Sequence, residues 1–483
     1  MISIPSVQGT PIAVLGLGIS GLAAAKALMA SGARVMAWDD DDTRRRQAQD
    51  QGIGLVDLTD AELDGVASLV LSPGIPHTYP APHPVAARAR AAGIEIIGDI
   101  ELLARSQPEA RFIGITGTNG KSTVTALIGH IFQTAGRNCA IGGNLGPPVL
   151  ALEPLEAGGN YIVELSSYQL ELMDTPALDI AVLINISPDH LDRHGGMVGY
   201  ITAKGSIFDR TSAGAVSIIS VDDDPCRDIF AQLNGNGGRR IIPISVSRKV
   251  ATGIYVKGVT LYDDTDGKDR PIVDLRSAQA LPGIHNWQNA AAAFAVARAA
   301  HIEPRLIAEA IKTYPGLAHR QELVAIIDDI QYVNDSKATN AEAAAKALIC
   351  YPAVYWIAGG QAKEGGIGSL APNFSRIRHA FLIGDAAGSF AESLKRKVPF
   401  TLSGDLAAAV ADAHHMATTE KLPSAVVLLS PACASFDQFA NFEARGEAFR
   451  HAVEALGGDR KAIPEKTEPG AGLNNHSPWL GMA

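Results

Sequence analysis

Short apolar runs alternate along most of this chain with longer alanine- and leucine-rich stretches at helical spacing, a pattern that predicts strands and helices in turn. Near the start, Ile12–Leu15 reads as a strand, Gly21–Ser31 as a helix, and Arg34–Trp38 and Ser68–Ser72 as further strands. This βαβ order implies a parallel sheet. A second block has candidate strands at Phe112–Ile115, Tyr161–Leu165, Ile180–Ile184 and Val216–Val221. The stretch Arg239–Leu281 is richer in β-branched and turn residues and predicts antiparallel strands, and a helix full of alanines follows at Trp287–Ala300. A third block offers strands at Leu323–Ile327, Val354–Ala358, Ala380–Ile383 and Val426–Leu429 with helices between them. The pattern divides the chain into an α/β protein of three domains, 1–106, 107–316 and 317–460, with a tail at 461–483 that lacks apolar periodicity and reads as disordered. No internal repeat of fixed period is visible.

Composition narrows the class. The chain has 483 residues, 47% hydrophobic and 19% charged, which suits large cores. A net charge of −10 without a long basic run argues against a nucleic-acid surface, while leaving room for local basic pockets. The four cysteines, Cys139, Cys226, Cys350 and Cys433, are far apart and form no CxxC pair, so neither a disulfide framework nor a thiolate zinc site is indicated. The N-terminus has no basic leader and no apolar stretch is long enough to span a bilayer, so a cytoplasmic protein with no membrane partner is expected.

The most informative chemistry lies at residues 112–125. The run Phe112–Ile115 breaks at Gly117 and Gly120, and Lys121-Ser122-Thr123 then opens a helical pattern. A strand, a glycine-rich turn and a helix N-terminus present free backbone N–H groups and the positive end of the helix dipole to one point, which is an anion cradle. Lys121 would reach the outer phosphates of ATP and Ser122 would offer its hydroxyl to the accompanying Mg²⁺. The strict phosphate-loop pattern asks for glycine where this chain has Ile115.

Other constellations sit at predicted strand ends. Gly16-Leu17-Gly18-Ile19-Ser20-Gly21 follows the first strand, and Asp39 ends the second, 18 residues after Gly21. This arrangement fits a dinucleotide or any nucleotide diphosphate, and also a plain tight turn. Ser72-Pro73-Gly74 forms a rigid turn where open sheets bind ligands, or an ordinary loop. Glu164 ends an apolar run, where a charge is costly unless paired or bound to a metal. The cluster Asn185 to His194 suggests a site in which His190 holds a metal or a phosphate, or else a solvated loop. Lys204, by spacing alone, reads as a solvated lysine. The amides of His285-Asn286-Trp287-Gln288-Asn289 would read a base or, more commonly, cap the helix that follows. Asn334–Asn340, Gly359–Lys363 and Ser430–Phe439 each follow a third-block strand and would share one sheet edge.

Taken in order, these segments resemble the Mur ligases, ATP-dependent enzymes that add amino acids to a UDP-linked muramyl precursor of bacterial peptidoglycan. The resemblance runs from Gly16 to about residue 455 and rests on Gly117–Thr123, Gly142–Gly146, Glu164–Gln169, Asp189–Arg193, His285–Asn289, His319-Arg320, Asn334–Asn340 and Ser430–Phe442. Asp-Ser-Lys-Ala-Thr-Asn and Ser-Pro-Ala-Cys-Ala-Ser-Phe-Asp-Gln-Phe are similar to signatures of the members that add D-glutamate, and the Asp-Asn-Pro-Arg motif of the diaminopimelate-adding members is absent. The resemblance implies a Rossmann-like UDP-binding domain, a central P-loop ATPase-type domain with a parallel sheet, and a Rossmann-like C-terminal domain that binds D-glutamate. It implies that Gly18, Ile19, Ser20, Asp39, Ser72, Pro73, Gly74, Asn144 and His190 bind the UDP precursor. ATP would be handled by Gly117, Thr118, Asn119, Gly120, Lys121, Ser122, Thr123, Asn289, Arg320, Asp335 and Lys337, and D-glutamate by Thr339, Lys363, Ser435 and Phe442. Ser122 and Glu164 would hold one Mg²⁺, and His190 with a carbamylated Lys204 a second. Lys121, Lys204, His190, Glu164 and Arg320 would form the catalytic set of a monomeric cytoplasmic ligase acting on small molecules only. One departure stands out: Asp39-Asp40-Asp41-Asp42 occupies a place where some relatives have a Thr-Arg pair, and an acidic run beside a diphosphate is unfavourable.

The chemistry so implied is carboxylate activation by ATP, followed by attack of an amine on the acyl phosphate, with ligands from three blocks brought together by domain closure. Two alternatives are a ligase resembling folylpolyglutamate synthase, which would leave residues 10–105 without a purpose, and a nicotinamide-dependent oxidoreductase using Gly16–Gly21.

Overall fold

The computed structural model describes residues 1–175, 177–235, 238–362 and 365–461. The expected tail therefore lies outside the described residues, apart from Lys461. Two compact units result. The first comprises Met1–Leu275 and Asn286–Ile311, and the second Arg276–His285 and the chain from Lys312 onward.

The first unit carries two sheets. Strands β1 (Pro11–Leu15), β2 (Arg34–Trp38), β3 (Ser68–Leu71) and β4 (Glu95–Ile97) form a parallel sheet in the order β2-β1-β3-β4. The direction of winding reverses between β1 and β3, so the carboxyl ends of those strands flank a crevice. The second sheet contains β5 (Arg111–Thr116), β6 (Cys139–Gly143), β7 (Asn160–Glu164), β8 (Leu178–Leu183), β9 (Thr211–Ser220), β10 (Arg240–Ser245), β11 (Ile254–Lys257), β12 (Thr260–Asp263) and β13 (Arg270–Asp274), ordered β13-β12-β11-β10-β9-β8-β5-β7-β6. Strands β7 and β3 are buried along their whole length, as expected for parallel strands covered on both faces. The expected antiparallel character of Arg239–Leu281 holds for β12 and β13 only. Strands β10 and β11 extend the parallel ladder.

The second unit has one sheet, with β14 (Glu322–Ile327), β15 (Ile330–Asn334), β16 (Ala353–Gly359), β17 (Ile377–Ile383), β18 (Phe400–Gly404), β19 (Ala425–Leu429) and β20 (Arg460–Lys461) in the order β18-β17-β16-β19-β15-β14-β20. From β15 to β18 all pairs are parallel, whereas β14 joins β15 as an antiparallel hairpin. Strands β4, β6 and β18 are short and half-exposed at some positions, which hides them from an apolar-run reading. The alanine helix begins at Ile284, three residues earlier than its apolar pattern suggested. His285 and Asn286 thus lie inside its first turn, and the capping role expected of the preceding amides is withdrawn.

The acidic run at 39–42 serves local structure. Asp39 accepts the Leu17 N–H at 2.6 Å and the Asp41 N–H at 2.9 Å. Asp41 caps the helix Asp42–Asp50 through the Thr43 N–H, and Asp40 meets His83 Nε2 at 2.9 Å. Negative charge at a helix N-terminus is favourable, which is why the run persists beside an anion-seeking loop.

Two positions give direct tests of this packing. Gly21 lies where helix Ile19–Ala30 crosses the turn after β1, and a Cβ there would stand 1.7 Å from the Gly16 carbonyl oxygen. Gly21→Ala is expected to lower the unfolding free energy by about 3 kcal/mol in urea titration, because rigid backbone cannot move aside. Asp99 is buried at the start of helix Asp99–Ser106, where Oδ1 takes the Ile100 N–H at 3.0 Å and the Ser20 hydroxyl also acts on the carboxyl. Burial pushes this acid up to about 6. A carboxyl raised above its unfolded value costs stability as pH climbs from about 4 to about 6, since the native state must then hold an unfavourable charge. Asp99→Asn should stabilise the protein at pH 7 by roughly 1–2 kcal/mol, with the advantage vanishing below about pH 4.

Candidate functional site

At the crevice of the first sheet, Gly16 has φ +92° and any Cβ would strike Ser72 at 2.6 Å. The Ser72 hydroxyl donates to the Gly16 carbonyl at 2.9 Å, and Asp39 holds the Leu17 N–H. Gly18 then starts helix Ile19–Ala30 in extended conformation without a side-chain cap, an arrangement whose first backbone N–H groups suit an anion. Ile19 is 79% exposed beside them. Asp39 and Ser72, expected to touch the UDP group, also brace the turn, with Pro73 and Gly74 following β3.

The phosphate loop follows β5 in the second sheet. Gly117 and Gly120 have φ +157° and +87°, and Gly120 is the N-cap of helix Lys121–Thr134. A side chain at 120 would meet Asn289 Oδ1 at 2.3 Å, so only glycine fits there. Asn289 in turn donates to Asn286 Oδ1 at 3.0 Å. The loop is pinned from outside: Thr118 N–H donates to the Asn185 carbonyl at 2.9 Å, and the Asn119 N–H to Asn185 Oδ1 at 2.9 Å. Asn185 returns a bond to the Asn119 carbonyl at 3.1 Å. Thr118 Oγ1 lies 3.1 Å from the Tyr200 hydroxyl. Lys121 Nζ folds back on the carbonyls of Gly117 and Thr118 at 3.1 and 3.0 Å. Ser122 is half-buried and Thr123 buried at the start of the helix.

Two buried groups flank this loop. Lys204 is only 2% exposed and donates to the Gly117 carbonyl at 2.8 Å. The spacing-based view of a solvated lysine is therefore corrected: the helix Met197–Gly205 turns this side chain inward against the Tyr200 ring, 4.8 Å from its centre. Burial, and then repulsion from Lys121, bring the amine down to about 7. Glu164, at the end of β7, is 1% exposed. Oε1 accepts from Asn144 Nδ2 at 2.9 Å, while Oε2 is buried with no hydrogen-bond partner. A buried carboxylate oxygen without a donor asks for a cation, so the residues fit a divalent metal at this point. Among the described residues no group of three or more His, Cys, Asp or Glu side chains is close enough to hold a metal alone. A cation here would need hydroxyl, carbamate or phosphate oxygens as well. His190 sits in left-handed conformation (φ 48°) in the loop after β8, its side chain 56% exposed and 3.5 Å from Asp189.

In the second unit the three polar clusters do share the carboxyl edge of adjacent parallel strands β15, β19 and β16. Asp335 Oδ2 accepts from Ser430 at 2.8 Å and Oδ1 from the Gln321 N–H at 3.1 Å, and burial raises this acid to about 7. Arg320 lies between His319 (φ 60°) and Gln321 (φ 45°), a turn held in the left-handed region on both sides. Lys337 Nζ stands 5.0 Å over the Phe442 ring, Ser435 is 2% exposed, and Thr339 is half-buried. Lys363 lies outside the described residues. Sequence reasoning missed the group that binds these loops together. Arg445, fully buried, donates to Ser336 Oγ at 3.0 Å, to the Ser336 carbonyl at 2.8 Å and to the Cys433 carbonyl at 3.1 Å. Burial pulls its pKa down to about 10. An arginine on a helix reads as a solvated face, and only its position just after Phe442 hinted otherwise. Asn185, Tyr200 and Gln288 were likewise given no separate role.

Comparison with known proteins agrees with this geometry. Residues 115–297 match the Mur ligase middle domain, and residues 10–98 the Mur ligase MurD-like N-terminal domain. The chain is 52% identical over 456 residues to a UDP-N-acetylmuramoylalanine–D-glutamate ligase of Paramagnetospirillum magneticum, covering 94% of this chain and 99% of the relative. A protein of the same name from Rhodospirillum rubrum is 50% identical, covering 94% and 96%. Among solved structures, a UDP-N-acetylmuramoyl-L-alanyl-D-glutamate–2,6-diaminopimelate ligase matches with TM-score 0.56 at 17% identity over 93% of both chains. A UDP-N-acetylmuramate–alanine ligase from Thermotoga maritima gives 0.53 at 15% identity, covering 92% and 99%. The structural matches show a shared fold, and the sequence matches show descent: this chain belongs to the Mur ligase family, on the branch of the UDP-N-acetylmuramoylalanine–D-glutamate ligases.

Proposed function

We propose that this chain is an ATP-dependent carbon–nitrogen ligase that adds D-glutamate to UDP-N-acetylmuramoyl-L-alanine, a step of peptidoglycan precursor synthesis. The observation that carries the reading is the pair of buried groups at the phosphate loop: a lysine at its floor and a carboxylate oxygen without a partner at its wall. The N-terminal match at residues 10–98 gives the first block a purpose, which disfavours the folylpolyglutamate-type alternative, and the phosphate loop disfavours the oxidoreductase.

In the first step an oxygen of the L-alanyl carboxylate attacks the γ-phosphorus and ADP departs. In the second the D-glutamate amine attacks the acyl carbonyl, loses a proton, and phosphate leaves. The first step brings anions together, so the chain must supply positive charge and fixed donors. Lys121, released from the loop carbonyls, would bind the outer phosphates, with the backbone N–H groups of 117–122 beneath them and Arg320 as a second cation. Mg²⁺, held by Ser122 with Glu164 and by His190 with carbamylated Lys204, would screen the remaining charge when bound. Carbamylation of Lys204 is chemically reasonable because an amine lowered to about 7 keeps a substantial neutral fraction near neutrality. It also replaces a cation repelled by Lys121 with an anion that attracts it. In the first unit Gly18, Ile19, Ser20, Pro73, Gly74 and Asn144 would contact the precursor, and in the second Asp335 and Lys337 the nucleotide and Thr339, Ser435 and Phe442 the amino acid. No helix among the described residues is long and apolar enough to cross a membrane, and the enzyme is proposed to act as a cytoplasmic monomer.

Purified protein should release phosphate from ATP only when the UDP-linked acceptor and D-glutamate are both present. Release with a folate acceptor, or hydride transfer to NAD, would reassign it. Lys204→Ala is expected to lower kcat by at least about 100-fold, with partial recovery on adding a short carboxylic acid. Carbon-13 NMR after labelled bicarbonate should show a carbamate carbon in the wild type that this variant lacks. Full activity of the variant removes Lys204 from the site.

A further inference from the structure

Glu171 follows the single-turn helix Ser167–Leu170, seven residues beyond Glu164. Its carboxylate is gripped from two sides. Oε2 meets His77 Nε2 at 3.1 Å, and Oε1 meets His194 Nδ1 at 2.8 Å. The other nitrogen of His194 lies 2.9 Å from Ser167 Oγ. One acid thus joins three segments distant in sequence. His77 lies three residues past Gly74, His194 four past His190, and Ser167 three past Glu164, so each is a near neighbour of a residue placed above in the precursor or metal site. A second contact follows the same seam, where Arg193 donates to the Gly74 carbonyl at 2.8 Å. A third is steric: a Cβ on Gly195 would stand 2.9 Å from Tyr79 Cζ.

Bond directions follow from the donor inventory. An ionised carboxylate only accepts, so His77 Nε2 and His194 Nδ1 both carry protons. His77 Nδ1 faces Arg90 Nη2 at 3.4 Å, and a guanidinium only donates, so that nitrogen accepts. With its proton on Nδ1, His194 accepts a hydrogen bond at Nε2 from the Ser167 hydroxyl. The order serine, histidine, carboxylate is that of a hydrolytic triad. Here both Ser167 and His194 are 3% exposed, which gives no substrate a line of approach, so the row acts as a brace.

We propose that Glu171 is a positioning residue for the UDP-linked acceptor. It fixes the distance between the loop that holds the nucleotide end, at Ser72–Gly74, and the segments that meet the carboxyl end, at Glu164 and His190. This rests on the acceptor reading above. A long ligand that must touch both ends is sensitive to that distance. ATP is not, because its loop is pinned separately by Asn185 and Lys204, and the residues assigned to D-glutamate belong to the other unit.

The test is steady-state kinetics on full-length protein with all three substrates varied. Glu171→Gln keeps the shape but cannot accept from both imidazoles, and is expected to raise the KM for the acceptor about tenfold while the KM for ATP and for D-glutamate stays within about twofold. His77→Ala removes one arm from a surface loop, should act in the same direction, and should be less than additive with Glu171→Gln because the two share one interaction. It carries the test alone if the glutamine variant does not fold. An unchanged acceptor KM, an equal rise for all three substrates, or full additivity overturns the brace. Absence of phosphate release by the wild type overturns instead the activity on which the proposal rests.

Discussion

Two lysine ammonium groups converge on one backbone oxygen. Lys121 and Lys204 both donate to the Gly117 carbonyl, at 3.1 and 2.8 Å. Like charges this close in a poorly solvated place repel, and the lowered pKa of Lys204 reports its burial first and that repulsion second. The arrangement is relieved by negative charge arriving from outside or generated on Lys204 itself. Under the proposed function a triphosphate would supply the first and a carbamate the second. The partnerless oxygen of Glu164 poses the opposite demand nearby, one that a cation would satisfy.

The same device recurs in the second unit with a different cation. Arg445 is fully buried and spends its donors on Ser336 and on the carbonyls of Cys433 and Ala434. Two loops at the carboxyl edge of the sheet are thereby locked to one helix. In each unit the loops that follow parallel strands are irregular, so their carbonyls lack ladder partners and must be satisfied by side chains. A buried cation with several donors does this at one stroke.

The regular elements were largely legible because their signal is local. Apolar runs marked β1, β5, β7 and β19, and the glycine spacing at 16–21 and 117–120 marked the two turns that open helices Ile19–Ala30 and Lys121–Thr134. Where the reading slipped, a non-local effect had won. Strand β6 pairs only with β7 at a sheet edge and lacks a long apolar run. The alanine helix takes in His285 and Asn286, whose amide chemistry looked like a cap. Strands β10 and β11 look like meander strands in composition, yet they pair in parallel with the sheet built earlier.

The site divides along the same line. By itself the sequence determined where glycine-rich turns open helices, since the glycines, a following lysine and a helix start are adjacent in the chain and need no distant partner. It could not determine that Lys204 is buried, that Asp39 spends its carboxylate on the Leu17 N–H, or that Glu171 ties His77 to His194. Those facts join residues 87, 22, 94 and 23 positions apart. Whether such a side chain meets water or a partner is settled only when the packed sheets bring remote segments to the same place, because burial and charge pairing are properties of the assembled interior.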